Sequence, residues 1–127
     1  MSLPIKISTT LETLALGVST TQATLTWPLA HPALPGGGQA QFIKIDNIGS
    51  VVAFVRVAPD SDTIVVPGSS TVGNCFPVQP NGSVTVEVIP ANTNAATSPF
   101  DDGSGNCAID AITNDSTTII TVTPVGV

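Results

Sequence analysis

Between Gln39 and Gly68 the chain reads QAQFIKIDNIGSVVAFVRVAPDSDTIVVPG, with apolar residues at every second position on both sides of a polar break. Ile43 and Ile45 lead into Asp46-Asn47-Ile48-Gly49-Ser50, and Val51, Ala53, Val55 and Val57 leave it. A period of two sends successive side chains to opposite faces of a pleated sheet, so the stretch builds strands. Two such runs around a short polar turn are expected to form a β-hairpin, placed centrally in the fold.

The rest of the chain repeats this grammar. Leu3, Ile5 and Ile7 form one alternating run, Leu14, Leu16 and Val18 a second, and Ala23, Leu25 and Trp27 a third. Asp62 to Pro67 is expected to be a short strand, and residues 71–79 are ambiguous, with Phe76 facing inward. Pro80-Asn81-Gly82 is a turn, because Asn and Gly tolerate positive φ. Val84, Val86 and Val88 then share one face while Thr85 and Glu87 take the other. Cys107–Thr113 and Thr117–Thr123 close the chain as two further strands. PLAHPALPGGG at 28–38 and ANTNAATSPFDDGSGN at 91–106 are loops, the first because its prolines remove ladder donors. Only residues 9–18 approach a helical spacing, through Leu11, Leu14 and Val18. About eight short strands with Gly/Pro turns indicate an all-β fold, an antiparallel β-sandwich or jelly roll, as one domain over residues 1–127.

Charge narrows the function. Only 9% of the 127 residues are charged, against about 25% in an average soluble domain. Thr, Ser, Asn and Gln must therefore cover the outward faces, and a surface so weakly charged protects poorly against self-association. Such a chain suits life inside an assembly, or else a secreted or thermally hardy monomer. The net charge of −6 rests on only three bases, Lys6, Lys44 and Arg56, which disfavours nucleic acid and anionic membranes as partners. The start of the chain lacks a basic region followed by an apolar run, so no secretory leader is expected.

Catalytic constellations are thin. The single histidine, His31, sits in the Pro/Gly loop with no carboxylate nearby in sequence and no nucleophile elbow elsewhere. Gly36-Gly37-Gly38 lacks the Lys-Ser/Thr of a phosphate loop. A calcium loop begun at Asp102 finds Ser104 and Asn106 but then Cys107 and Thr113 where Gly and Glu are needed. One Trp, four Phe and no Tyr supply a sugar groove poorly, with Trp27 the one candidate platform. Cys75 and Cys107 are either a disulfide or two free thiols, and with one histidine they fall short of a zinc site. No catalytic residue, cofactor or metal is therefore assigned.

FIKIDNIGSVVAFVRV, IVVPGSS, VQPNGSVTVEVIP and CAIDAITNDSTTIITVTPVGV together resemble the small β-sandwich virion proteins of tailed bacteriophages. The shared features are the Asn-x-Gly strand end at Asn47 to Gly49, the Phe-Val-Arg strand at Phe54 to Arg56, the Val-Pro-Gly stop at Val66 to Gly68, and the Pro-x-Gly tail within Thr121 to Gly126. The resemblance covers about two-thirds of the chain; residues 1–38 do not fit it.

It implies a non-enzymatic capsid decoration or cement protein, made in the host cytoplasm and carried on the virion. The implied partners are the major capsid protein or another virion protein, and further copies of itself as a trimer or dimer. The alternative is a carbohydrate-binding or adhesin-like module of a tail or fibre. Residues 1–10 read as a docking arm. The candidate contact residues are Leu3, Ile5 and Ile7 in that arm, Trp27, His31, Pro32 and Pro35 beside and within the Pro/Gly loop, and Phe100 in the polar loop.

Overall fold

The alternating valines and isoleucines fold into nine strands in a computed structural model that describes residues 6–7, 13–29, 41–68, 70–90, 93–94 and 96–126. The strands are β1 (Lys6–Ile7), β2 (Leu14–Val18), β3 (Ala23–Pro28), β4 (Phe42–Asn47), β5 (Ala53–Ala58), β6 (Phe76–Val78), β7 (Ser83–Glu87), β8 (Asn106–Ile112) and β9 (Thr118–Gly126). All pairings are antiparallel, and no described residue is helical. The run around residues 9–18 is therefore a strand where it is described.

Sheet A has the order β1-β9-β4-β7 with β2 also on β9, and sheet B the order β3-β8-β5-β6. Nested pairing underlies this order: β5 meets β6, β4 meets β7, β3 meets β8 and β2 meets β9. The eight strands thus form one long antiparallel ribbon rolled over itself, closed by the β4–β9 and β5–β8 ladders. That is a jelly roll, the all-β sandwich expected from the alternation. Val18, Ile43, Ile45, Ile120 and Val122 of sheet A face Trp27, Val55, Val78, Ile109 and Ala111 of sheet B in one apolar core.

The central stretch is not a hairpin. β4 lies in sheet A between β9 and β7, whereas β5 lies in sheet B between β8 and β6. The five residues Ile48 to Val52 between them are long enough to span the ~10 Å separating packed sheets. Alternation dictates which side chains point inward but not which neighbour a strand takes. The choice is made by Asn47, whose side chain is buried at the corner. Its Nδ2 donates to the carbonyls of Val51 (2.7 Å) and Val78 (2.9 Å). Its Oδ1 accepts from the Gly49 N–H (3.1 Å) and the Thr118 hydroxyl (2.6 Å). One amide thereby ties the corner to β6 of sheet B and β9 of sheet A. Gly49 is obligatory beside it, since a Cβ there would overlap the Thr118 side chain.

Residues 62–67 are not a strand either. The backbone of this segment is satisfied by side-chain amides. Gln22 Nε2 donates to the Asp62 carbonyl (2.6 Å) and its Oε1 accepts from the Ile64 N–H (2.8 Å). Asn74 Oδ1 accepts from the Val65 N–H (2.8 Å), and its Nδ2 donates to the Thr63 carbonyl (2.9 Å). Amides in place of a neighbouring strand hold the segment extended without extending the ladder. The turn at Pro80-Asn81-Gly82 forms as expected, with Asn81 at φ 60° and the Gly82 N–H donating to the Gln79 carbonyl.

Candidate functional site

The expected contact residues scatter. Leu3, Ile5, His31, Pro32 and Pro35 lie outside the described residues. Ile7 belongs to β1, whose backbone pairs with Val125 of the same chain, so this end of the arm adds to its own sheet. Trp27 is 1% exposed and belongs to the core, paired across the ladder with Cys107. It is neither a surface contact nor a sugar platform. Phe100 is partly buried and packs against the same core. Its N–H donates to Ser98 Oγ, whose hydroxyl in turn donates to the Val88 carbonyl.

The acidic loop is tied to itself. Asp102 Oδ1 accepts from the N–H groups of Ser104 (2.7 Å) and Asn106 (3.3 Å), and Asp101 Oδ1 from that of Gly105 (2.7 Å). Gly103 and Gly105 sit at positive φ to complete the turn. Among the described residues, no cluster of three His, Cys, Asp or Glu side chains could hold a metal.

Cys75 and Cys107 are both free thiols, the second of the two alternatives. Burial, and then the Asp102 charge, push the Cys107 thiol up to about 12, and burial raises Cys75 as well. Nucleophilic cysteines need the thiolate, so both are set against that chemistry.

The outer faces of the two sheets differ. On sheet B, register brings Thr24 and Arg56 to either side of Asp110, and the loop after β5 folds over all three. Asp110 is fully buried. It accepts from the hydroxyls of Thr24 (2.6 Å) and Ser61 (2.8 Å) and from the Asp62 N–H (3.2 Å). Arg56 Nη1 lies 3.3 Å from Oδ2, the oxygen that also takes the Asp62 N–H, and donates to the Asp60 carbonyl (2.8 Å). Burial alone would raise the carboxyl, but these donors and the guanidinium outweigh it and hold Asp110 below the ordinary carboxylate range.

Among the described residues, sheet A carries no such cover over its centre. Thr13 and Thr123 share a hydroxyl contact (3.0 Å), Thr85 is exposed, and Thr121 is half-buried. Ile119 and Ile48 are exposed side by side, Gly17 lying opposite Ile119 with open space around it. Lys44 and Asp46 are 3.6 Å apart on this face and compensate each other. A shallow hollow of about 220 Å³ beside the Asn47 corner is lined by Val51, Val52, Phe54, Asn114 and Asp115.

Sequence reasoning marked Asn47 only as the start of an Asn-x-Gly strand end and did not single out Asp110. A signal for the second existed: Asp110 is the one charge inside the apolar run CAIDAI, and Arg56 is the only arginine. A lone strand acid and a lone strand base are natural partners when both occupy buried ladders. Comparison with protein-family profiles, with curated proteins and with solved structures gave no match.

Proposed function

We propose that this chain is a non-enzymatic structural protein of a phage virion, decorating the assembled head. The observation that carries the reading is the outer face of sheet A, which the described residues leave open, with exposed threonines, small residues, an Ile48/Ile119 pair and Lys44 paired with Asp46. A rigid sandwich with such a face can lie against a shell subunit while burying little charge, since Lys44 and Asp46 compensate each other and Glu87 stands out at the β7 edge. The jelly roll adds support, since this fold recurs in viral shells as well as in lectins, although fold alone names no function. The glycan-binding reading asked for Trp27 on an exposed face, and its burial removes that platform.

Mechanically, decoration is mass action. A protein that binds the assembled shell and not its dissociated subunits stabilises the shell by its binding free energy. The test is to add the purified protein to heads lacking it and to their unassembled shell subunits. Decoration expects saturable binding to heads alone and a raised head melting temperature. Equal binding to free subunits, or no change in melting, contradicts the reading. Ile119→Asp should weaken head binding at least tenfold, at roughly 1.4 kcal/mol per decade, while leaving the fold intact.

A further inference from the structure

We infer that β7 is a self-pairing edge, through which two copies of this chain join their five-stranded sheets into one. Only part of the β7 backbone is already used by β4. The Val88 N–H donates to the Gln41 carbonyl and the Asn47 N–H to the Gly82 carbonyl. In an antiparallel ladder bonded pairs recur every second residue. Val84 and Val86 therefore point their backbone groups at β4, and Ser83, Thr85 and Glu87 point theirs away from it. Among the described residues, nothing meets these three N–H and three C=O groups.

Exposed edges are normally blunted by Pro, Lys, Gly kinks or bulges. The other outer strands carry such features: Pro77 in β6, Pro28 in β3 and Gly17 in β2. β7 reads SVTVE, with no Pro, Lys or Gly and its single charge, Glu87, only at its last position. Its inward valines, Val84 and Val86, are also only partly buried, whereas Ile45 and Ile43 opposite them on β4 are fully buried.

The strand is complementary to itself. An antiparallel pair of β7 strands about a two-fold axis through Thr85 places Thr85 opposite Thr85, Ser83 opposite Glu87 and Val84 opposite Val86. Every outward-pointing residue then falls in a bonded pair, and all the free groups of both edges are satisfied at once. Glu87 never faces Glu87; each meets a serine hydroxyl. The valines meet in the close non-bonded pairs and complete the open side of the core. Such a contact is isologous and closed, giving a dimer and not a fibre. This inference holds wherever the chain works, and its test needs no virion.

The experiment is mass measurement by light scattering and native mass spectrometry on the full chain. Wild type is expected to show a concentration-dependent species of twice the 12.8 kDa chain mass. Thr85→Lys and Thr85→Glu each set like charges on the two-fold and should each weaken the dimer at least ~10-fold. An equimolar mixture of the two should restore it as a heterodimer. Amide exchange of the wild type gives an independent reading: Ser83, Thr85 and Glu87 should slow with concentration, while Val84 and Val86 are protected throughout. Single-chain mass at every concentration, failure of the mixture to pair, or concentration-independent exchange at Thr85 would overturn the assignment.

Discussion

Asn47 and Asp110 are both buried, both held by several hydrogen bonds, and they do different work. Asn47 is neutral and joins the two sheets at the corner between β4 and β5. Asp110 is charged, and it fastens the chain's own loop over the outer face of sheet B. An amide offers donors and acceptors together, so it suits a corner where carbonyls and a hydroxyl converge. A carboxylate only accepts, so it suits a place where hydroxyls, an N–H and a guanidinium point inward. The fold therefore closes sheet B with a pH-sensitive anchor and turns between sheets on a pH-insensitive one. The outer face of sheet A and its β7 edge carry neither among the described residues.

The largest effect should come from Asp110→Ala, which strands Arg56 and three other donors beneath the loop. Removing one partner of a buried ion pair costs about 3–5 kcal/mol, measurable by urea unfolding. Asn47→Ala should cost about 2–4 kcal/mol, because it leaves the Val78 carbonyl and the Thr118 hydroxyl without their partner.

Acid separates the two anchors more sharply. The Asp110 carboxyl sits below its unfolded value, so its contribution is complete above about pH 4 and is lost as pH falls through the lowered folded value. Asp110→Asn should be less stable at neutral pH and should lose part of that acid sensitivity. Asn47→Asp should behave with the opposite sign. It places an acceptor against the Val51 and Val78 carbonyls, favours the protonated form, and should regain stability as pH falls. Equal acid slopes for wild type and Asp110→Asn would remove the contrast. The smallest effect belongs to Gln22→Ala, about 1–2 kcal/mol, with faster amide exchange confined to the loop around Ile64.

This contrast also marks where the sequence was readable. Period-two runs reported most of the described strands and inward residues such as Ile43, Ile45, Ala53 and Val55, though not exposed Leu14, because burial on one face imposes alternation directly on the chain. They did not report that β4 and β5 part company, since alternation is the same for a hairpin and for a crossover between sheets. Residues 62–67 looked like a strand for the same reason: Ile64, Val65 and Val66 carry strand propensity, but Gln22 and Asn74 occupy the hydrogen-bonding positions a neighbour would need. Trp27 was ambiguous between core and contact because an aromatic residue at a strand end fits either, and only the facing sheet settles it. The open face of sheet A is a property of two sheets and a loop together, and no local stretch encodes it.

The central claim is that the chain belongs to the head of a virion, and the most direct test is its position and copy number in purified particles. Heads and tails are separated, and the chain is quantified in each against the major shell subunit by mass spectrometry. Decoration expects a copy number in fixed proportion to the shell subunit, confined to heads. Finding the chain only in tails, or only in the particle-free lysate, contradicts it.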